Sequence, residues 1–444
     1  MLFFVFITSG LFLGWSLGAN DAANVFGTAV GSKMLKFRKA AIIASIFVVL
    51  GAVFQGKGAA DTLSDLGAVD AIAGAFTISL CAAITIFIMT RYGLPVSTSY
   101  AIVGAIVGWS AFAGKQINSG ALLVIVSSWI SSPLLGMAFA ALLFLILRWI
   151  LRKTSIHVIK LDSYIRISLI VVGAFGAYSL GANNIANVMG VFVHSAPDIV
   201  LDFGLFTLDG VQLLFLLGGL AIATGIFTYS EKVMNTVGNG LLALTPEAAV
   251  VVVLSQAMVL FLFSSAWLSG NLTSIGLPPI PLVPVSSTQV VVGAVLGIGL
   301  VKGVREIKLK TLGGIVAGWI ITPLTAGLLT FIVLFFVQNV FRLSISGKSS
   351  TPPQSSAEVS LPDFSAPVEK INLILPGILM SLLLMIVLLI YLFFRQQKLR
   401  LKAENELLQQ QNQNFQAQKN LSMMEVSAIQ MENNLLTQKL ETKR

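Results

Sequence analysis

Long apolar runs dominate the chain, and they constrain its fold more than any other feature of the sequence. A bilayer core about 30 Å thick needs about 20 mostly apolar residues per helical crossing, and we find about eleven such runs. The 444 residues are 56% hydrophobic and only 11% charged, which excludes an ordinary soluble enzyme. The sequence therefore predicts an all-α integral membrane protein. The predicted crossings are residues 2–32, 40–55, 71–90, 94–113, 119–147, 166–196, 210–230, 246–268, 284–301, 311–339 and 371–394.

Basic residues between the apolar runs predict the orientation of the chain. When the two sides alternate after each crossing, nearly all basic loop residues of the first 340 residues fall on one side, and among them only Lys57 and Lys115 fall on the other. Because basic loops are retained in the cytoplasm, we expect a multi-pass protein of the inner or plasma membrane with its N-terminus outside and its C-terminus cytoplasmic. The net charge of +9 comes from these short clusters, so no nucleic-acid partner is expected.

Three motifs occur twice in the same order and divide the chain into two repeats. GANDAANVFG from Gly18 matches GANNIANVMG from Gly181, and PVSTSYAIVGAIVG from Pro95 matches PVSSTQVVVGAVLG from Pro284. The third motif, WISSP from Trp129, matches WIITP later in the chain at nearly the same spacing as the second. By the crossing count, matching segments run in opposite directions through the membrane. Inverted repeats with broken or re-entrant helices are typical of secondary transporters, whose sites lie near the membrane midplane.

The first doubled motif places polar residues inside an apolar crossing, where unpaired polar groups are costly. Asn20, Asp21 and Asn24 offer the hard oxygen ligands that suit Na⁺, and Asp21 is the only acid that we place well inside a crossing. The glycines of the two copies are predicted to let the helix break, which would free backbone groups to bind ions. The alternative is that the small and amide residues only pack helices together. These glycines are Gly18, Gly27, Gly31, Gly181 and Gly190.

The second doubled motif places hydroxyl residues at the start of a helix. We expect Pro95 at the helix start and three hydroxyl residues in the first turn, where free N–H groups and the helix dipole favour an anion. The alternative is that the hydroxyls only cap the helices. The hydroxyl residues are Ser97, Thr98 and Ser99 in the first copy and Ser286, Ser287 and Thr288 in the second.

The doubled GAND-x-AN-x-x-G and P-V-S-S/T-S/T motifs resemble those of the inorganic phosphate transporter (PiT) family, over residues 1–340. The resemblance implies uptake of inorganic phosphate driven by Na⁺ in many members and by H⁺ in others, while some relatives carry sulfate. It implies that Asn20, Asp21, Asn24, Asn183 and Asn187 line a central site, with the hydroxyl residues around the anion. We assign to phosphate the six hydroxyl residues, Asn20 and Asn183, and to the cation Asp21, Asn24, Asn184 and Asn187.

Two features of the site depart from the family pattern. Asn184 stands where the family usually has Asp, so one fixed negative charge is missing. This loss could reduce the number of coupled cations or change which cation couples. Tyr100 and Gln289 follow the hydroxyl triplets where many members have His, which puts a titratable group in doubt.

Composition divides the chain into six predicted segments. Repeat I covers residues 1–150, an interfacial amphipathic linker follows at 151–165, and the inverted repeat II covers 166–340. Beyond the repeats, the sequence predicts a Ser/Pro-rich linker at 341–370, an extra transmembrane helix at 371–394 and a cytoplasmic helix at 395–444. Apolar residues recur at multiples of seven in that helix, but they make a weak coiled coil. A homodimer and a cytoplasmic partner for 396–444 are expected, with a plain solvated helix as the alternative.

The sequence thus predicts a transporter and no catalytic residue. We expect import of inorganic phosphate together with Na⁺ by alternating access, with no cofactor. One cysteine and two histidines are too few for a disulfide or a transition-metal site. The alternatives are a sulfate permease of the same fold, H⁺-coupled phosphate transport, an anion channel without obligatory coupling, and a phosphate-sensing membrane scaffold.

Overall fold

The structure is a computed structural model. It describes residues 2–91, 96–154, 157–202, 204, 207–237, 245–303, 309–340, 343 and 345–346. The predicted segments 371–394 and 395–444, and nearly all of the linker 341–370, lie outside these residues. The helices are α1 (Leu2–Phe6), α2 (Thr8–Gly31), α3 (Phe37–Gln55), α4 (Lys57–Gly67), α5 (Ile72–Arg91), α6 (Thr98–Ala113), α7 (Ser119–Lys153), α8 (Val158–Met189), α9 (Gly210–Val237), α10 (Pro246–Leu262), α11 (Ala266–Ser274), α12 (Ser287–Lys302) and α13 (Leu309–Asn339).

The membrane-protein fold class is confirmed, whereas the count of about eleven crossings is not. Seven helices within the described ranges are long and apolar enough to span a bilayer, or eight if α10 and α11, bent by 68°, form one span. Helices α6 and α12 have 16 residues each, which gives a length of about 24 Å against a hydrocarbon core of about 30 Å. These two predicted crossings are therefore too short to cross as straight helices.

The most extensive helix packing joins one half of the chain to the other. Helix α2 packs on α9, α3 on α8, α6 on α13 and α7 on α12. Glycines allow the backbones to touch at these crossings, since a Cβ atom on Gly18 would lie 2.0 Å from the Ile222 carbonyl oxygen, and one on Gly181 would lie 2.0 Å from that of Val48. Small residues at helix contacts are the usual means of close approach in membrane proteins.

Two further contacts between helices, α6 on α13 and α7 on α12, repeat this arrangement. A Cβ atom on Gly104 of α6 would lie 2.2 Å from the Pro323 carbonyl oxygen of α13, and one on Gly293 of α12 would lie 2.0 Å from that of Pro133 in α7. The two glycines hold matching positions in the two copies of the second motif, and the two prolines hold matching positions in the third. Equivalent residues of the two halves therefore make equivalent contacts with the opposite half.

The prediction that motif glycines break their helices is wrong for most of them. Helix α2 runs without interruption through Gly18 and Gly27, and α8 runs through Gly181. At Gly18 and Gly181 the helix stays continuous, while the absent side chain allows a second helix to cross at contact distance. The other two lie at helix boundaries: Gly31 is the last residue of α2, and Gly190 begins a 3-10 helix that spans Gly190–Ser195.

A short β-ribbon follows the 3-10 helix and was not predicted. Strands β1 (Val200–Asp202) and β2 (Thr207–Asp209) pair antiparallel, with Leu201 opposite Leu208. Its strands have three residues each, and Asp209 caps the start of α9 by accepting a hydrogen bond from the Gln212 N–H at 2.7 Å. The ribbon is thus a structured turn between two apolar helices.

Charged contacts bring together loop residues that the sequence places on a common side. Arg166 donates to the Met34 carbonyl oxygen at 3.0 Å. Met34 lies in a loop predicted to be cytoplasmic, and Arg166 lies at the cytoplasmic end of the predicted crossing 166–196. Lys115 pairs with Asp70 at 2.5 Å, and both lie in loops predicted to be external. These contacts agree with the predicted order of crossings, while the absolute orientation stays a prediction.

Candidate functional site

Asp21 lies in the middle of α2, and the residue is only 2% exposed. It has the only buried charged side chain among the described residues. The hydroxyl of Ser287, at the start of α12, donates to Asp21 Oδ2 at 3.2 Å. Asn20 donates to the other carboxylate oxygen at 3.2 Å from its half-buried side chain. A single carboxyl side chain is therefore held between a helix of the first half and a helix start of the second half.

Asn24 lies one turn after Asp21 and makes a second connection to α12. Its Nδ2 atom is 3.0 Å from the Ser287 hydroxyl and 3.2 Å from the Thr288 hydroxyl. We name Asp21, Asn24, Ser287 and Thr288 the Asp21 half-site. Its carboxylate, amide and hydroxyl oxygens are hard ligands of the kind that alkali and alkaline-earth cations prefer.

An equivalent cluster connects α8 to the start of α6. Asn187 Nδ2 is 2.9 Å from the Ser99 hydroxyl and 2.9 Å from Asn184 Oδ1. Asn184, Asn187 and Ser99 are all buried, as is Thr98 beside them. We name these four residues the Asn184 half-site, which carries no ionisable side chain. Thr98 also lies close to the Asp21 carboxylate, so the two half-sites are neighbours.

Helix α12 begins at the hydroxyl triplet, as the sequence predicts for the anion subsite. Ser286 is its N-cap residue, and its hydroxyl accepts a hydrogen bond from the Gln289 N–H at 3.3 Å. Pro284 lies before the cap, in the segment that leads into α12, and not at the first helical position. The reason is that the Ser286 hydroxyl already caps the helix. Pro95, the matching proline, lies outside the described residues.

Ser97 is the corresponding N-cap of α6, but its side chain makes no cap hydrogen bond. Its hydroxyl oxygen is buried and has no hydrogen-bond partner in the described part of the chain. The first N–H groups of any α-helix lack partners within that helix. The start of α6 therefore presents unpaired hydrogen-bond donors next to the Asn184 half-site.

Asn183 stabilises the extended segment that leads into α12. Its Nδ2 donates to the Val283 carbonyl oxygen at 2.9 Å, and its Oδ1 accepts from the Val285 N–H at 2.8 Å. Ser99 also donates to the Val285 carbonyl oxygen at 3.3 Å. The structure thus brings Asn183 next to the site, where its amide binds backbone and positions the Ser286–Thr288 turn.

Replacement of Asn183 by Ala is expected to leave two buried backbone groups unpaired. Each such group costs about 1–3 kcal/mol, so we expect the free energy of unfolding to fall by about 2 kcal/mol or more. Thermal unfolding of the purified variant in detergent measures this change. Asn339→Ala is the matched control, because exposed Asn339 bonds only to the Phe335 carbonyl oxygen of its own helix. Equal stability of the two variants would contradict the role of Asn183 in holding the backbone of Val283 and Val285.

Tyr100 and Gln289, which follow the two hydroxyl triplets, are hydrogen-bonded to each other through the Tyr100 hydroxyl and Gln289 Nε2. They contribute to the lining of an apolar groove of about 630 Å³ between α7 and α13. Trp129 and Trp319, which are equivalent in the two repeats, also line this groove. The two positions at which many family members have His are therefore occupied by a hydrogen-bonded Tyr–Gln pair, directly after the two hydroxyl triplets.

Gln256 in α10 was missed by the sequence interpretation. Its side chain is fully buried, and neither polar atom has a hydrogen-bond partner within the described ranges. The signal was present, since Gln256 interrupts the apolar run AVVVVLSQAMVLFL. A buried amide without partners is costly, so this residue is a candidate for contact with water or an ion.

Known proteins are similar to this chain in sequence and in fold. The profile described as "Phosphate transporter family" matches residues 17–330 and 281–437. A relative from Pyrococcus furiosus, provisionally named a phosphate permease, is 30% identical over 408 residues, which cover 74% of this chain and 94% of the relative. A Haemophilus influenzae relative with the same provisional name is 26% identical over 420 residues, which cover 75% of this chain and 96% of the relative.

A solved structure titled "The sodium-dependent phosphate transporter" has the same fold. Its sequence is 24% identical, its TM-score is 0.61, and the match covers 76% of this chain and 98% of that chain. The family profile extends over well more than half of the residues, and the Pyrococcus relative is matched over nearly its whole length. The chain belongs to the phosphate transporter family.

Proposed function

We propose that the chain imports inorganic phosphate together with Na⁺ by alternating access. The observation that supports this most is the Asp21 half-site, in which one buried carboxylate and one amide of α2 meet two hydroxyls of α12. These residues come from the two motifs that the family resemblance assigns to ion and substrate. The cation would bind at the Asp21 carboxylate and the oxygens around it.

Electrostatics gives a reason for coupling the two ions. Phosphate carries negative charge, and Asp21, the only buried charge among the described residues, is negative as well. Two like charges in a low-dielectric site repel strongly. A bound cation would offset this repulsion, so cation binding should raise the affinity for phosphate, and the coupling is reciprocal. The structural neighbour is a sodium-dependent phosphate transporter, which supports Na⁺ as that cation.

Alternating access is supported by the equivalence of the two halves. The site lies where α2 and α8 meet the starts of α12 and α6. Because equivalent residues contact the opposite half, exchange between two related arrangements would expose the site to one side and then to the other, as proposed for inverted-repeat transporters. We further propose the orientation, the homodimer and the six-segment division predicted from the sequence.

Uptake of labelled phosphate by proteoliposomes that hold the purified protein tests this function. Three conditions are compared: an inward Na⁺ gradient, an inward pH gradient and no gradient, each with and without excess sulfate. We expect accumulation against the phosphate gradient with Na⁺ alone, and little effect of sulfate. Accumulation with the pH gradient alone would replace Na⁺ by H⁺. Downhill flux alone would indicate a channel, and uptake of sulfate in place of phosphate would change the substrate.

A further inference from the structure

The two half-sites are equivalent by position but differ in chemistry. Asn24 and Asn187 hold matching positions in the two copies of the first motif, and Ser99 and Thr288 hold matching positions in the second. The hydrogen bond from Asn24 to Thr288 at 3.2 Å recurs as the bond from Asn187 to Ser99 at 2.9 Å. Each half-site is therefore built from one repeat's helix and the other repeat's hydroxyl turn. Because the two half-sites share these hydrogen bonds, a residue that differs between them is expected to change what each one binds.

The difference lies at Asp21 and its equivalent Asn184. Asp21 Oδ2 accepts a hydrogen bond from Ser287, whereas no such bond joins Asn184 to Thr98, the equivalent of Ser287. Asn184 Nδ2 is buried without a partner among the residues that the structure describes. Thr98 Oγ1 is also buried and makes no hydrogen bond of ordinary geometry there, although it lies beside the Asp21 carboxylate. Asn184 Oδ1 is already bonded to Asn187. The polar atom of Asn184 that has no partner is therefore its N–H donor, Nδ2.

A donor at this position favours an anion over a cation. Sodium requires oxygen lone pairs, and an N–H group directed at a bound cation repels it. A phosphate oxygen, in contrast, accepts hydrogen bonds from amide N–H and hydroxyl groups. The unpaired Asn187 Oδ1 is an acceptor, and it matches the O–H that phosphate retains near neutral pH. The unpaired atoms of the Asn184 half-site thus fit a protonated oxyanion.

We propose that the Asn184 half-site binds the phosphate oxygens and holds no cation, so that one Na⁺, bound at the Asp21 half-site, accompanies each phosphate. This inference rests on the proposed function and goes further, because it fixes the cation count and revises the sequence-based assignment of Asn184 and Asn187 to the cation. Asn184 Nδ2 and the Thr98 hydroxyl donate to the anion. Asn187 Oδ1 accepts from its hydroxyl group.

The count of coupled ions is measured from the phosphate gradient at which net flux stops. With the membrane potential and the pH difference held at zero, a roughly tenfold Na⁺ gradient balances a roughly tenfold phosphate gradient for one Na⁺, and about a hundredfold gradient for two. We expect the tenfold balance for the wild-type protein. Asn184→Asp, which restores a second carboxylate, should move the balance toward a hundredfold. Asn271→Asp is the control, since it adds the same charge at an exposed position of α11.

A charge swap separates the proposed assignment from a merely structural role of Asn184. Asp21→Asn alone should lose Na⁺ coupling, whereas the double variant Asp21→Asn/Asn184→Asp should regain it with the tenfold balance, because the carboxylate has moved to the equivalent position. The slope of the unfolding temperature against the logarithm of Na⁺ concentration gives a second measurement that needs no transport, because each bound ion stabilises the folded state. That slope should double in Asn184→Asp.

A hundredfold balance in the wild-type protein would overturn the inference and leave the proposed symport intact. An Na⁺ slope in Asn184→Asp equal to that of the wild type would also overturn it. Sulfate has no O–H group near neutral pH. Competition by a tenfold excess of sulfate would therefore contradict the proposed hydrogen bond from phosphate to Asn187 Oδ1. Failure of the wild-type protein to accumulate phosphate under any Na⁺ gradient would instead contradict the proposed function, and the Na⁺ slope in detergent would still decide the cation count.

Discussion

Replacement of Asp21 by Asn is expected to abolish Na⁺-dependent phosphate uptake while the protein still folds. The carboxylate is the only buried charge in the described part of the chain, and it lies between Asn20 and Ser287. A cation about 4 Å from a carboxylate gains about 4 kcal/mol at an effective dielectric constant of 20, which corresponds to about a 1,000-fold loss of cation affinity in the neutral variant. Uptake measured over a series of Na⁺ concentrations detects this loss.

Two controls accompany the Asp21→Asn variant. Removal of an unpaired buried charge does not destabilise a protein in the way that breaking a buried ion pair does, so the unfolding temperature should be at least that of the wild-type protein. Asp65→Asn, at an exposed position of α4, should leave the Na⁺ dependence unchanged. A well-folded Asp21→Asn variant with the Na⁺ dependence of the wild type would show that the cation binds elsewhere.

Addition of one methyl group at Gly18 or Gly181 is expected to destabilise the fold strongly. The new Cβ atom would lie 2.0 Å from a backbone carbonyl oxygen of the crossing helix in both cases, so the helices must separate. Overpacking of this kind costs about 1–3 kcal/mol or more. Gly18→Ala and Gly181→Ala should therefore lower the unfolding temperature by similar amounts, since the two contacts are equivalent in the repeats. Thermal unfolding in detergent measures both.

Gly270→Ala is the matched control for the two glycine variants. Gly270 lies in α11 with an exposed position, and a Cβ atom there would meet nothing within 4 Å. Because Ala is the better helix former by about 1 kcal/mol, this variant should be as stable as the wild type or more stable. Unchanged stability of Gly18→Ala would contradict the close crossing of α2 and α9.

The sequence was sufficient to predict the fold class and most helices, because each apolar run of bilayer length has few alternatives to a helix. It was insufficient for the lengths of α6 and α12. The runs 94–113 and 284–301 look like ordinary crossings, but each helix begins only after its hydroxyl cap. Whether an apolar segment before a cap is helical or extended depends on tertiary partners such as Asn183, which the local pattern does not contain.

The local sequence was also insufficient to predict what the motif glycines do to their helices. A glycine within an apolar helix permits either a break or a close crossing, and the sequence around Gly18 does not distinguish them. The decision depends on Ile222, which lies in the other half of the chain and contributes the carbonyl oxygen that Gly18 contacts. The prediction of a break therefore failed because the contact that keeps the helix continuous is non-local.

The candidate site was predictable by residue type, because polar side chains are rare in apolar helices and usually functional. The pairing within the site was not predictable from composition. Asn24 could have met the hydroxyls of its own repeat, but it bonds to Ser287 and Thr288 of the other half. The doubling of both motifs hints at such an exchange, and only the packing of α2 against α12 specifies it.

Exchange of partners between the halves has a consequence for the synthesis of the protein. Asn24 and Ser287 are 263 residues apart, and a ribosome adds about 5–20 residues per second, so α2 exists for roughly 10 to 50 s before its hydroxyl partners are made. During that interval Asp21 has neither Ser287 nor the second half around it. Until the second half is made, the nascent first half therefore carries a carboxyl side chain in an apolar helix without the partners that make its burial tolerable.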